Sequence, residues 1–202
     1  KGDVTHRGLL DQWLEFGDLI AGRPYAVEVV PGNHDVEKRR ELDPMAALSK
    51  LGLETAEAGV RWVDVAGLRL VLLDSTRLGE RRGHLDHLHG GVQEALASTE
   101  GPVWIGLHHQ LEPHRFSTIY PPGVRGPEAR RFLDLVAATH PRAFVSSGHT
   151  HRNRRRTVGG ITLTEVGAPE DYPGTWAAYT VHEGGMRQVL WRLEDPQCLP
   201  WL

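Results

Sequence analysis

The chain has 202 residues, enough for one domain with a full hydrophobic core, since domains commonly hold about 100–150 residues. A net charge of −3 argues against a general nucleic-acid binder, and no apolar run approaches the roughly 20 residues of a membrane span. The single cysteine, Cys198, cannot form an internal disulfide, so nothing calls for an oxidising compartment and a cytoplasmic location is expected.

In chain order, Leu9, Trp13, Phe16 and Ile20 follow the spacing of one helix face, and Gly22 can end that helix. Tyr25 to Val30 reads as a strand running into the Pro31-Gly32-Asn33 turn. Leu42 to Leu51 reads as a short helix. Val60 to Val65 and Leu68 to Leu73 flank Ala66-Gly67 at hairpin spacing. Gly91 to Ser98 is expected to be helical, and Pro102 to Leu107 a buried strand. Pro127 to Ala138 is expected to be a helix with Pro127 in its first turn and Phe132, Leu135 and Val136 on its apolar side. Ala143 to Val145 reads as another strand. From there the pattern is strands alone: Arg155 to Val158, Ile161 to Val166, Trp176 to His182 and Met186 to Leu193, with Gly159-Gly160 and Gly184-Gly185 as tight turns. Alternating strands and helices followed by a strand-rich end imply a layered α/β fold with mixed sheets, in a single domain spanning residues 1–202.

Twelve histidines are the compositional oddity, and several fall in four clusters: Gly2-Asp3, Gly32-Asn33-His34-Asp35, His108-His109 and Gly148-His149-Thr150-His151. Asp, Asn and His supply oxygen and nitrogen ligands to divalent metals. All but the first cluster follow an apolar run, and ligands at several strand ends can converge on one edge of a sheet. An aspartate can bridge two cations with its two oxygens, and two metals about 3.5–4 Å apart stabilise both the attacking and the leaving oxygen of an in-line displacement. Phosphorus esters need that help, because their transition state spreads negative charge over several oxygens.

Gly2-Asp3-Val4-Thr5-His6-Arg7-Gly8 and the other three clusters, in this order, resemble the calcineurin-like metallophosphoesterases. Leu73-Asp74-Ser75-Thr76, followed by a glycine-rich loop and the helix before His108, is similar to the class III cyclic-nucleotide phosphodiesterase branch. The resemblance implies a four-layer α/β/β/α sandwich of two mixed sheets. It implies two divalent or mixed-valence metal ions (Mn, Fe, Zn, Co or Ni), with Asp3 bridging them, Asn33, His108 and His149 completing the second, and His151 on the first. It places His34 beside the phosphate as the catalytic proton donor or charge stabiliser, and Arg7 in contact with phosphate. His109, the neighbour of a ligand, is assigned to the substrate.

Two departures stand out. The family opens with Asp-x-His at the end of its first strand, which gives the first metal two more ligands. No Asp-x-His occurs in this chain, so the first site keeps only Asp3 and His151, and an N-terminal truncation that removes the first strand is expected. His6 stands where many relatives carry aspartate, so carboxylate support for a protonated His34 is absent.

The implied reaction is hydrolysis of cyclic nucleotides or related small phosphodiesters through a metal-bridging hydroxide. Phosphomonoesterase or phosphoprotein phosphatase activity on the same fold is the alternative, and a non-catalytic binding module a third reading. The partner is thus a small phosphoester, without membrane or general nucleic-acid binding. Outside the clusters, His84, His87 and His89 read as a glycine-flanked loop near the site entrance, without ligation. Arg152, Arg154, Arg155 and Arg156 read as a solvated strand edge that discourages sheet pairing, and Trp104 and Trp176 as core residues. The Cys198 to Leu202 tail carries no functional signal.

Overall fold

The computed structural model describes residues 1–36, 41–53, 57–112, 120–171 and 173–194; the Cys198 to Leu202 tail lies outside them. The helices are α1 (Leu10–Ile20), α2 (Pro44–Lys50), α3 (His89–Ala97) and α4 (Gly126–Thr139). The strands are β1 (Val60–Val65), β2 (Leu68–Leu73), β3 (Val103–Leu107), β4 (Phe144–Ser147), β5 (Arg154–Val158), β6 (Ile161–Glu165), β7 (Thr175–His182) and β8 (Gly185–Arg192). Among the described residues no helix is long and apolar enough to cross a membrane.

The first six strands form one mixed sheet in the order β1-β2-β3-β4-β6-β5. β2, β3, β4 and β6 run parallel, with β1 and β5 antiparallel at the two edges. Successive side chains of a strand point to opposite faces, and one face of this sheet is largely apolar. Val71, Leu73, Val103, Ile105, Leu107, Val145, Ile161 and Leu163 all belong to the main core. Against them pack Val92, Ala95 and Leu96 of α3, and Ala129, Phe132, Leu133 and Val136 of α4. The α4 residues recur at i, i+3, i+4 and i+7, the spacing of one helix face. Each large side chain buried in this way stabilises the fold by about 1.5–3 kcal/mol.

The opposite face meets the β7–β8 hairpin. Tyr179 packs edge-on against Trp104 and Phe144, at 5.7 and 5.9 Å between ring centroids. Its hydroxyl lies 2.9 Å from Ser146 Oγ. Helices, a mixed six-stranded sheet and a second sheet are therefore stacked in the manner of a metallophosphoesterase, the second sheet here comprising two antiparallel strands. α1 and α2 close a separate small core around Trp13, Ala47 and Leu48.

The structure departs from the sequence reading in three places. Tyr25 lies in a bend, residues 26–30 carry no regular secondary structure, and none of them joins a ladder. The segment is tied to β1 by a side-chain pair, Arg61 to Glu28 at 2.8 Å, rather than by backbone bonds to a described strand. Trp176 is 45% exposed rather than core, because it faces outward from the hairpin and stacks on its cross-strand partner Trp191. The arginine run is only partly a solvated edge: Arg156 reaches inward to the buried Glu165 at 2.7 Å and to the Leu111 carbonyl at 3.1 Å, while Arg152 and Arg155 are exposed.

Candidate metal centre

Because β2, β3 and β4 are adjacent and parallel, with Leu73 opposite Leu107 and Gly106 opposite Ser146, the residues that follow them emerge together at one sheet edge. Ligand sites in such sheets form beyond the carboxyl ends of the strands. His108 and His109 leave β3, and Gly148 to His151 leave β4. The Gly148 N–H donates to the His108 carbonyl at 2.9 Å. Thr150 fixes the following turn by donating to Glu165 Oε2 at 2.7 Å.

The Gly2-Asp3 loop and the Gly32-Asn33 turn close onto this edge from outside the sheet. Their contact requires glycine: a Cβ on Gly32 would lie 2.2 Å from Asp3 Oδ1, and one on Gly2 would lie 2.5 Å from His108 Nδ1. Asp35 locks the two segments together. It is fully buried and accepts from the N–H groups of Val4 (3.2 Å), Thr5 (2.8 Å) and Gly32 (2.8 Å), and from Thr5 Oγ1 (2.7 Å). The His34 N–H donates to Asp3 Oδ1 at 2.9 Å.

Four side-chain atoms meet where these segments converge. His108 Nε2 lies 3.1 Å from Asn33 Oδ1, 3.0 Å from His149 Nδ1 and 3.2 Å from Asp3 Oδ2. His108 Nδ1 donates to the Lys1 carbonyl at 2.9 Å, which leaves Nε2 of a neutral ring as a lone pair. With the His149 proton on Nε2, the point of convergence is lined by acceptors: two imidazole nitrogens, an amide oxygen and a carboxylate oxygen. Acceptors facing one another without donors repel, and a divalent cation resolves that repulsion, so this donor set fits a metal of the borderline class. Asp3, His149 and His151 also hold positive φ (52°, 65° and 53°), three of the five described non-glycine residues that do so. The left-handed region costs roughly 1–2 kcal/mol per residue, and such strain gathers at functional sites.

The sequence model of calcineurin-like phosphoesterases matches residues 1–153. The chain belongs to that family. No curated protein matches it. Among solved structures the chain is similar to the phosphopantetheinyl hydrolase from Mycobacterium tuberculosis, with a TM-score of 0.54 and 19% identity over 97% of this chain and 85% of that one. At that identity the likeness is one of fold. As a calcineurin-like phosphoesterase, the chain is a metal-dependent hydrolase of phosphoric esters.

Not all the residues singled out in the sequence enter the four-atom convergence. His34 lies beside it; its Nδ1 bonds the His6 carbonyl at 2.9 Å and its ring stacks on that of His6 at 5.4 Å. Position 6 thus supports His34 through its backbone, in place of the carboxylate that many relatives carry. Arg7 is exposed, and its backbone N–H donates to Gln12 Oε1 at 3.0 Å. His151 belongs to a second group, with Glu170 and Asp171, whose ligand atoms all lie within 4.8 Å of one another. Its Nδ1 lies 2.5 Å from Asp171 Oδ2. His109 is fully buried behind His108 and His149, with Nδ1 2.8 Å from Ser75 Oγ, so it lines no open surface. His84 pairs with Glu80 at 2.8 Å, and His89 opens α3.

Sequence reasoning gave no part to Asp35, Ser75 or Asp171. Asp35 stands inside a recognised motif and Ser75 inside a noted one, so both carried a signal. Asp171, on the connection between β6 and β7, carried none.

The electrostatics keep the ligand atoms available. Without a metal and with the His108 ring protonated, burial pushes the Asp3 carboxyl up, but hydrogen bonding and charge from that ring and the His34 N–H outweigh it and set its pKa at about 2. Burial, then the charge of His108, lowers His149 to about 3. Both shifts make the metal-free chain acid-labile. Between pH 6.5 and about 3 the unfolded chain protonates His149 and the folded chain does not, so stability is present above pH 6.5 and falls as pH falls. The full His149 contribution is on the order of 5 kcal/mol. Asp3 acts with the same sign from about pH 4 down to about 2. Urea titrations of metal-free protein at pH 7 and pH 4 should show this loss; equal midpoints would contradict it.

Proposed function

We propose that the chain is a phosphodiesterase acting on cyclic nucleotides or related small phosphodiesters. The observation that carries this reading is the acceptor-lined convergence of Asp3, Asn33, His108 and His149, with His34 beside it. These four residues would hold one ion; Asp3 and His151 would contact a second, with Mn, Fe, Zn, Co and Ni all suited to the donor set. Such ions, when bound, make water a better nucleophile near neutral pH and offset negative charge on phosphoryl oxygens.

The protein's own residues supply position and protons. The Asp35 network holds the Asp3 loop and the Asn33 turn at a fixed separation. The His6 carbonyl accepts from His34 Nδ1–H, and His34 donates to a phosphoryl or leaving-group oxygen when its second nitrogen is protonated. Arg7, exposed and four residues after the bridging Asp3, is the proposed guanidinium contact to a phosphate oxygen. Asp171, by accepting from Nδ1–H of His151, leaves Nε2 of that ring as the metal-facing nitrogen. The burial of His109 favours a supporting place over the substrate contact expected from sequence.

The test is a substrate panel on the full chain with Mn²⁺: a cyclic nucleotide, bis-nitrophenyl phosphate, nitrophenyl phosphate and a phosphopantetheinyl ester. Diester turnover at least tenfold above the monoester, abolished by chelation, is the expected result. Monoester preference would replace this reading with a phosphomonoesterase or phosphoprotein phosphatase. A chain that binds no metal and turns over nothing would be a binding module. The phosphopantetheinyl ester is included because the similar solved structure is a phosphopantetheinyl hydrolase.

A further inference from the structure

Leu73-Asp74-Ser75-Thr76 and His109 lie next to the centre without a part in the four-atom convergence. β2, β3 and β4 are neighbours in the sheet, and just beyond their ends they deliver Ser75, His109 and His149 in turn. Ser75 and His109 are both fully buried. Ser75 Oγ lies 2.8 Å from His109 Nδ1 and 3.4 Å from the His109 backbone N. The His109 ring lies 4.7 Å from that of His149 and 4.9 Å from that of His108, meeting the latter edge-on.

The outer torsion of a histidine is broad and roughly two-fold, so packing alone defines the ring plane poorly. A hydrogen bond at Nδ1 selects one plane and one flip. Apolar residues of similar volume would fill this position at least as stably, since replacing both members of a buried polar pair is close to neutral. Stability therefore does not account for the pair.

We propose that Ser75 and His109 are a positioning pair for the metal-ligating histidines. The Ser75 hydroxyl fixes the His109 ring, and that ring braces His149 and His108 with their nitrogens turned toward Asn33 and Asp3. The inference rests on the reading of His108 and His149 as metal ligands.

Two variants of the full chain test it: Ser75→Ala, which removes the hydroxyl without adding volume, and His109→Phe, which keeps a ring but removes Nδ1. Each is expected to weaken Mn²⁺ binding about tenfold by calorimetry, the scale of outer-shell changes around metal-bound histidine. Each should also shift the imidazole ¹⁵N signals of His149 in the metal-free protein. Ser75→Thr, which keeps the hydroxyl, should return affinity to within about twofold of wild type. Wild-type affinity in both variants, unchanged His149 signals in both, or an equal loss in Ser75→Thr would overturn the pair. A wild-type chain that bound no Mn²⁺ would refute the metal reading instead, and the metal-free spectra would still decide the positioning. Should Ser75→Ala fail to fold, His109→Phe alone decides by the same two readouts.

Discussion

Asn33→Ala and His149→Ala are each expected to abolish metal-dependent hydrolysis of a chromogenic phosphodiester by the full chain, a loss well beyond the roughly 10–100-fold typical of outer-shell changes. Each variant deletes one of the four acceptors that meet at His108 Nε2, with Asn33 Oδ1 at 3.1 Å and His149 Nδ1 at 3.0 Å. Three remaining donors hold an ion more weakly and in altered geometry, and phosphoryl transfer depends almost wholly on positioning and charge stabilisation. Folding is a separate question, and His149 answers it with a particular signature. Its neutral burial is a source of acid lability, so metal-free His149→Ala should lose less stability than wild type between pH 6.5 and pH 4. A variant that melts like wild type at pH 7, resists acid better and turns over nothing would separate the site from the scaffold. Unchanged turnover in either variant would end the mechanism.

The His108 and Gly148 clusters were legible because each directly follows a buried apolar strand, and the parallel order of β2, β3 and β4 turns sequence position into spatial adjacency. The helices were legible for a similar reason: Phe132 and Val136 repeat at the helical period, and the core receives them at that spacing. What escaped were contacts whose partners are distant in sequence and leave no local pattern. Asp171 meets His151 across 20 residues, and Ser75 meets His109 across 34. Arg156 looked like one more surface cation, because its partner Glu165 becomes buried only once β5 and β6 have paired. Residues 25–30 have the composition of a strand, but a ladder needs a neighbouring edge, and strand propensity cannot supply one. The exposed Trp176 and Trp191 reflect the same limit: a two-stranded sheet has two faces, and only the face bearing Tyr179 found cover.

Asp35→Asn should damage the protein in the same way as Asp35→Ala, to a smaller extent, although the amide has the shape of the carboxylate. Both carboxylate oxygens act only as acceptors: Oδ1 takes the Thr5 N–H and hydroxyl, and Oδ2 takes the N–H groups of Gly32 and Val4. Asparagine has one acceptor oxygen and an NH₂ group: turned one way the NH₂ faces the N–H groups of Gly32 and Val4, and turned the other way it faces the Thr5 N–H, while the Thr5 hydroxyl can rotate to accept from it. A buried donor left unsatisfied costs about 1–3 kcal/mol, so asparagine loses at least that much and alanine, which leaves all four donors without the carboxylate, loses more. The consequence for the site follows from what Asp35 joins, since the Val4-Thr5 segment adjoins Asp3 and the Gly32 turn carries Asn33. Once they part, Asp3 Oδ2 and Asn33 Oδ1 no longer face His108, so metal affinity should fall together with stability in both variants. Urea unfolding and Mn²⁺ calorimetry on the full chain measure the two losses independently. If Asp35→Asn kept wild-type stability and affinity, the all-acceptor account of Asp35 would be wrong. If stability fell while affinity held, Asp35 would support the fold without setting the separation of the ligand loops.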